Sequence, residues 1–380
     1  MHIKKTPVVL QRLDSYERQA TKAAIAELLR PLGGISAFVQ PGQRVLLKPN
    51  MLAGKGVDAA VTTHPEIVRA VIELVQGAGG IVSVGDSPGV GSPLQVAQRC
   101  GILSVIEETG ATFAPFSESI RITPRSGTIH HFDLARDIVE AEVIINLPKL
   151  KTHQMMGMTG AVKNLFGAVV GTQKAAWHLK AGADKELFAQ MLLEVYRLRE
   201  PDLNIVDAIV AMEGNGPGSG DPCQVGLLLA GENAVAVDVV AAEIASVPKK
   251  LLYLENAARK MSLPGSDREQ IACCGLSLEE ARCRPFKLPH LSDVQFGLPR
   301  FLKNRLRHQF TSRPEVVTQK CELCGVCVRA CPPEAIRVKG GRLRFDYQRC
   351  IRCFCCRELC PHAALKLTDG WLLGLIKKLG

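Results

Sequence analysis

The sequence predicts two folding units: an α/β domain built on a mostly parallel sheet with flanking helices, and a small α+β domain at the C-terminus. Through the first two thirds of the chain, short apolar runs ending in glycine or proline alternate with helical patterns, which is typical of βαβ units. Nine of the 14 cysteines fall between positions 321 and 360. The chain has 380 residues, of which 47% are hydrophobic, and this is enough to form the cores of two or three domains.

Two amphipathic helices are predicted in the first 80 residues. Residues 14–30 carry the apolar spacing of a helix, and Asp14 is placed to cap it. Residues 63–76 show the same spacing, with Thr63 as the expected cap and Pro65 in the first turn. Later helical patterns cover residues 95–100 and 234–245.

Buried strands are predicted where short apolar runs stand between turn residues. These runs are residues 45–47, 81–84, 143–146, 203–206 and 225–230. Ligands of open parallel sheets bind beyond the carboxyl ends of the strands. The first two strands therefore place four polar side chains on one rim: Lys48, Asn50, Asp86 and Ser87.

The segment that follows the third strand is the densest in chemically active side chains. We expect residues 147–153 to form a loop that carries Lys149, Lys151 and His153. Beyond it, Thr159 is the expected cap of a helix that contains Lys163 and Asn164, and exposed amides at that helix start would favour an anion.

The cysteine-rich region contains one spacing written twice. Each run has intervals of two, two and three residues and ends in Cys-Pro, the pattern of a bacterial-type ferredoxin with two [4Fe–4S] clusters. Because the fourth ligand of each cluster comes from the other run, we assign Cys321, Cys324, Cys327 and Cys360 to one cluster, and Cys350, Cys353, Cys356 and Cys331 to the other. Two alternatives are disfavoured. Zinc ribbons bind their metal through paired Cys-x-x-Cys knuckles and not through triple runs that end in Cys-Pro, and a disulfide framework would need an oxidising compartment. Cys355 is surplus, and we expect it to pack as a small residue near a cluster.

The two runs predict a pseudo-symmetric module. Each Cys-Pro leads through a helical turn into a short strand, residues 336–338 and 365–367, and Gly340 and Gly341 mark a hairpin between the halves. The predicted organisation is an α/β domain at 1–299, a basic linker at 300–315, the two-cluster domain at 316–369 and an amphipathic tail at 370–380.

Positive charge is concentrated at the C-terminal end. Of the net +10, residues 300–380 hold 17 basic and 6 acidic residues, whereas the rest of the chain is almost neutral. This charge predicts an external electron donor that is an acidic redox protein. Peripheral membrane contact through the linker or tail is the alternative, although packing between the domains is the favoured interpretation. Nucleic acid is not expected, since aromatic residues make up only 5% and no DNA-binding motif accompanies the charge.

The N-terminus lacks a long apolar segment, so no signal peptide is predicted. The most apolar window, residues 225–247, is interrupted by acidic residues and is not expected to span a membrane. Thiolate ligands and these features together predict a cytoplasmic protein.

Several motifs resemble a family known as domain of unknown function 362. They are the segments at 48–50, 63–65, 85–89, 146–153 and 163–167, together with the C-terminal two-cluster module that many members of that family carry. The resemblance covers most of the chain and implies an iron–sulfur protein with a redox role.

The rim residues define a candidate site. We predict Lys149, His153, Lys163 and Asp86 as catalytic groups, and Lys48, Asn50, Ser87 and Asn164 as binding groups. Lysines and a histidine at strand ends suit a small, anionic substrate and can protonate a reduced intermediate. In the alternative interpretation, Lys149 and Lys151 are solvated loop charges.

Three functions compete at this point. The first is a reductase, in which the clusters pass electrons to a substrate in the α/β domain. The second is an electron carrier or assembly factor, and the third is a non-redox enzyme with structural clusters. The sequence shows neither the glycine-rich dinucleotide motif nor a P-loop, so the electron source is expected outside the chain.

Overall fold

The computed structural model describes residues 5–89, 91–124, 131–171, 173–182, 184–289 and 312–370. The predicted linker, except residues 312–315, and the tail, except residue 370, lie outside these ranges. Among the helices that are described, none is long and apolar enough to cross a bilayer.

The secondary structure alternates strands and helices in the larger part of the chain. The strands are β1 (Thr6–Arg12), β2 (Arg44–Pro49), β3 (Ile81–Val84), β4 (Thr112–Phe113), β5 (Ser119–Ile122), β6 (Phe132–Ala135), β7 (Val143–Leu147), β8 (Lys149–His153), β9 (Gly157–Thr159), β10 (Leu203–Glu213), β11 (Asp221–Gly231), β12 (Ile271–Gly275), β13 (Arg313–Val316), β14 (Ile336–Lys339), β15 (Arg342–Phe345) and β16 (Leu365–Thr368). The helices are α1 (Arg18–Leu29), α2 (Pro65–Gly77), α3 (Pro93–Arg99), α4 (Ile102–Thr109), α5 (Arg136–Glu140), α6 (Ala161–Asn164), α7 (Gln173–Ala181), α8 (Lys185–Leu198), α9 (Ala234–Ile244), α10 (Tyr253–Lys260), α11 (Leu278–Ala281), α12 (Val326–Arg329) and α13 (Cys355–Glu358).

A mostly parallel sheet forms the centre of the α/β part, as the sequence predicts. Its order is β12-β1-β11-β10-β7-β2-β3-β4, and β8 and β9 extend from β10 beside this path. The run from β10 through β7, β2 and β3 to β4 is parallel, while β11 pairs antiparallel with both of its neighbours. The carboxyl ends of β2, β3 and β7 therefore meet along one edge.

Helices cover both faces of this sheet. Alternate residues of one strand belong to different cores: Val45 and Leu47 of β2 pack with α1, α2 and α4, whereas Leu46 packs with α6, α8 and α9. This alternation is what a pleated strand buried on both faces requires.

The two helix caps predicted in the first 80 residues are wrong, and hydrogen bonding explains both. Helix α1 begins four residues after Asp14, because the Glu17 carboxylate accepts the amides of Gln19 and Ala20 at 3.1 and 2.7 Å. At α2 the cap is His64, whose Nδ1 accepts the Glu66 amide.

Thr63 is not free to cap α2. Its hydroxyl donates to the Leu147 carbonyl and accepts the Asn50 amide, so it joins the ends of β2 and β7. Pro65 does occupy the first turn of α2, as predicted.

The segment predicted as a loop at 147–153 is mostly strand. Residues 149–153 form β8, which pairs parallel with β10 and antiparallel with β9. Thr159 ends β9 and is not the cap of α6. The residue at that position is Gly160, and the Asp238 carboxylate of α9 accepts the Ala161 and Val162 amides. The anion expected at this helix start therefore comes from the chain itself.

The C-terminal part contains two small antiparallel pairs. Strand β13 pairs with β16, and β14 pairs with β15 through a turn at Gly340 and Gly341. Both glycines have positive φ, at 59° and 66°, as a tight hairpin turn demands. The predicted hairpin is thus present, and the short helices α12 and α13 lie just before the two Cys-Pro pairs.

Candidate functional site

The first predicted ligand set converges on one cavity. Cys321, Cys324, Cys327 and Cys360 line it together, although Cys360 comes from the opposite end of the module. Burial, with the neighbouring thiols, raises the pKa of Cys327 to about 11. Four sulfur donors around one space suit an iron–sulfur cluster.

The four thiols of the second predicted set lie near one another. Cys331 interacts electrostatically with Cys350 and Cys353, and these three, together with Cys327 of the first set, also act on Cys356. Burial raises the pKa of Cys356 well above its ordinary value. The donors fit the group that the spacing implies, and the ligand assignment stays a prediction.

Cys355 packs towards the α/β part of the chain. Its side chain is buried and belongs to the large core that also contains α8 and α9. It also lines a cavity outside the thiol set. The surplus cysteine therefore packs at the boundary with the α/β part.

That boundary cavity has a volume of about 320 Å³. One wall comes from the strand ends and the segments that follow them: Asn50, Asp86, Ser87, Lys163, Asn164 and Lys174. The other wall comes from the cysteine-rich module: Arg329, Ala330, Cys355, Glu358 and Leu359. Five of the eight predicted catalytic and binding residues thus line one space.

A buried ion pair forms part of the first wall. Lys48 Nζ lies 2.7 Å from Asp86 Oδ1, and both side chains are almost fully enclosed. Asp86 Oδ2 and Oδ1 also accept the amides of Met51 and Ser87, at 2.8 and 2.9 Å. Both carboxylate oxygens are therefore hydrogen-bonded, and the orientation of the group is fixed by β2 and by the turn after β3.

An amide network connects the strand ends behind the cavity. Asn164 Nδ2 donates to Asn146 Oδ1 at 2.8 Å, and Asn50 Nδ2 donates to Asn164 Oδ1 at 3.0 Å. Lys151 Nζ donates to Asn50 Oδ1 and to the Val61 carbonyl, both at 2.7 Å. Burial lowers the pKa of Lys151 well below its ordinary value. These contacts fix the Asn164 and Asn50 side chains where they meet the cavity.

Lys163 supplies an ammonium group to this wall. No carboxylate of the described residues lies within ion-pair distance of its Nζ, which sits 5.9 Å from the Phe166 ring centroid. Burial lowers the pKa of Lys163, and the negative charge of Glu358 opposes that effect.

Lys174 is a member of the site that the sequence did not reveal. It lies on α7, and its Nζ donates to the carbonyl and the hydroxyl of Ser87, each at 2.7 Å. Burial lowers its pKa to about 7. His178, one helical turn later, lines the same cavity. Its Nδ1 has no hydrogen-bond partner among the described residues, and burial lowers its pKa to about 3.

Lys149 lies elsewhere and does not line the cavity. Its Nζ donates to Asp207 Oδ2 at 2.8 Å and to the Tyr16 hydroxyl at 2.9 Å. Tyr16 in turn stacks on His64 and donates to Asp207 Oδ1. This network connects β8, β10 and the start of α2, which is the behaviour of a structural ion pair.

His153 is also buried away from the cavity. Its Nδ1 accepts the amides of Met155 and Met156 at 3.0 and 3.2 Å, so a ring proton resides on Nε2. Nε2 faces Glu358 Oε1 of the cysteine-rich module at 3.5 Å. Burial lowers the pKa of His153 well below its ordinary value. A role as free proton donor to the cavity would require it to act through Glu358.

Two family models match separate ranges of this chain. The family model described as domain of unknown function (DUF362) matches residues 45–243, and a model described as a 4Fe-4S dicluster domain matches residues 313–361. A thylakoid-associated protein of Synechocystis sp. is 40% identical over 310 residues, covering 79% of this chain and 94% of that protein.

Two solved structures resemble the fold at low identity. The lactate racemase apoprotein from Thermoanaerobacterium thermosaccharolyticum is 12% identical with a TM-score of 0.41, covering 63% of this chain and 57% of that one. A protein from Thermotoga maritima is 11% identical with a TM-score of 0.36, covering 66% and 60%.

The match over residues 45–243 and the close relative that spans most of the chain agree with the motifs at the strand ends. This chain is therefore a 4Fe-4S iron–sulfur protein that belongs to the family described as domain of unknown function (DUF362).

Proposed function

We propose that this protein is a reductase, with two [4Fe–4S] clusters held by the two cysteine sets and a small anionic substrate bound in the boundary cavity. When bound, such clusters accept and release single electrons. Each electron that the substrate gains derives from one equivalent of an external one-electron carrier. Each proton derives from an ammonium group of the cavity, which solvent then reprotonates.

The observation that carries this proposal is the composition of the two cavity walls. Cys355, Glu358 and Leu359 of one wall stand between or beside the predicted iron ligands Cys356 and Cys360. The facing wall offers Lys163 and Lys174. A volume of about 320 Å³ suits a small molecule, at the lower end of ordinary ligand pockets.

The cations of the first wall divide into fixed and available ones. Lys48 forms an ion pair with Asp86, so the two side chains together carry no net charge that would attract an anionic substrate. Lys163 has no such partner in the described part of the chain, and Lys174 donates only to neutral oxygens of Ser87 and Pro88. An anionic group of the substrate would satisfy both ammonium groups.

Lys174 is also suited to proton transfer. A side chain with a pKa of about 7 holds its proton in half of the molecules near neutral pH and releases it readily. Lys163, which burial also acidifies, is the second donor. Asn164 and Asn50 present amide groups whose orientation the network behind them fixes.

Thiolate ligands require a reducing compartment, and we place the reaction in the cytoplasm. The name of the Synechocystis relative records an association with thylakoids for that protein.

The test uses the full chain, purified without air and reduced with dithionite. A protein-free extract of small metabolites should reoxidise it, followed by the recovery of visible absorbance. Lys163→Met and Lys174→Met should lose this reoxidation while iron content and the spectra of both redox states stay unchanged. Lys180→Met, on the exposed side of α7, is the matched control.

Unchanged reoxidation in both cavity variants would contradict the proposal and favour an electron carrier that docks a partner protein. A Cys324→Ala, Cys353→Ala double variant that still converts the substrate would contradict it too, because the clusters would then be structural.

A further inference from the structure

The two cysteine loops have the same spacing but opposite environments. In the first loop, Cys324 is exposed and Leu323 is 38% exposed. The corresponding residues of the second loop are enclosed, with Cys353 at 7% and Arg352 at 6%. Cys353 also packs into the large core of the α/β part. The first loop is therefore more open to solvent, and the second loop is enclosed against the α/β part.

The hairpin β14–β15 presents an unusual charge pattern on its solvent side. Arg337 stands directly opposite Arg344, and Lys339 stands directly opposite Arg342. All four side chains are exposed. Like charges at opposed positions destabilise a two-stranded pair. Within the described residues, no carboxylate forms an ion pair with any of the four. We refer to these four residues as the cationic face.

The other side of the same hairpin covers the first cysteine set. Leu343 lines the cavity that Cys321, Cys324, Cys327 and Cys360 share. Ile336 and Phe345 pack in a small core that contains Cys321, Cys327 and Cys360 of this set, together with Cys331 and Cys356 of the second set. The cationic face is therefore separated from the first set of iron ligands by the thickness of a single β-layer.

We propose that the cationic face is the docking surface for an acidic one-electron carrier protein, which delivers electrons to the first half of the module. Opposed cations that repel each other in the free protein gain counter-charges from an acidic partner. On transfer, the carrier loses one electron and this protein gains one, and no covalent bond forms or breaks. The inference concerns where electrons enter the module. Its test involves neither the cavity nor a substrate, so it can fail while the proposed substrate site holds, and the reverse.

The position of the face favours a redox protein over an anionic lipid surface. Lipid binding would need only charge, whereas these residues lie directly over predicted iron ligands. The sequence also carries neither a dinucleotide motif nor a P-loop, so electrons must come from another molecule. A basic patch of this kind raises association rates with an acidic partner about tenfold or more at low ionic strength.

The experiment uses the full iron-loaded chain and, as probe, a reduced flavodoxin of strongly negative net charge. Binding is measured by calorimetry, and electron transfer by the rate at which visible absorbance bleaches after rapid mixing. Arg342→Glu/Arg344→Glu should weaken binding and slow reduction about tenfold or more at low salt, and added salt should reduce the difference. Reduction by dithionite should be unchanged, which shows that the clusters are intact.

Lys249→Glu/Lys250→Glu is the matched control, since it makes the same change in net charge at exposed positions of the α/β part. Equal losses in both double variants would overturn the inference, because net charge alone would explain them. An unchanged rate in the hairpin variant would overturn it as well. Loss of binding to anionic phospholipid vesicles without any effect on flavodoxin would assign the face to a membrane instead.

Discussion

Glu358 of the cysteine-rich module faces His153 of the central sheet, with Oε1 3.5 Å from Nε2 across the boundary between the two parts. The neighbouring residue Arg357 crosses the same boundary and donates from Nη1 to Gln154 Oε1 at 2.9 Å. The backbone approaches closely as well: a Cβ on Gly218 would overlap the Glu358 carbonyl oxygen. The iron-binding module is thus held against the carboxyl ends of the strands by specific contacts.

Gln154→Ala should loosen this boundary. The variant leaves the largely buried Arg357 guanidinium without its partner, which costs about 1–3 kcal/mol for a hydrogen bond to a charged group. We expect faster amide hydrogen exchange in residues 351–360 and unchanged exchange in β2 and β7. Equal exchange in wild type and variant would show that the hydrogen bond does not hold the module.

Lys149→Met and Lys163→Met should separate a structural lysine from a functional one. Removing Lys149 leaves Asp207 buried without its cation, so the free energy of unfolding should fall by about 3–5 kcal/mol. Lys163 has no carboxylate partner in the described residues, so its replacement leaves no buried charge unpaired and should lower the free energy of unfolding by less than that of Lys149. Denaturant unfolding measured anaerobically checks both, and the reverse ranking would contradict the assignment.

Stability should depend on pH through Lys174. Burial lowers its pKa to about 7 from an ordinary value of 10.5, so between these values the folded state binds fewer protons than the unfolded state. The free energy of unfolding of wild type, relative to Lys174→Met, should therefore rise from about pH 7 towards pH 10. Unfolding curves for the two proteins that run parallel across this range would contradict the lowered pKa.

Gly167→Ala should disrupt the cavity wall. A Cβ at this position would overlap Asp86 Oδ1 and lie 2.6 Å from Lys48 Nζ, so the buried pair must separate or the backbone must move. We expect a loss of about 3 kcal/mol or more in unfolding free energy. Gly77→Ala is the control, since nothing lies within 4 Å of its Cβ. Equal stability of the two variants would show that the pair is not rigid.

The sequence predicted those parts of the structure that local patterns determine. Apolar runs and turn residues located the parallel strands, and the convergence of their ends placed Lys48, Asn50, Asp86 and Ser87 together. The cysteine spacing predicted which thiols share a cavity for the first set, because the pattern itself encodes the crossing between halves.

The remaining features depend on contacts between distant segments. Residues 149–153 looked like a polar loop, but β10 supplies a neighbour that makes them a strand, and the partners of Lys149 come from residues 16 and 207. Lys174 carries no motif, and only folding brings α7 against Ser87. The sequence likewise could not show that the Asp238 carboxylate accepts the first backbone amide of α6.

The enclosure of the second cysteine loop sets an order for assembly. Cys353, Cys355 and Cys356 are each at most 7% exposed, and the first two pack in the core of the α/β part. We therefore expect iron and sulfide to reach this half more readily before the module packs on the strand ends than afterwards. Cys324 of the other loop is exposed, so its half is expected to stay accessible in the folded chain.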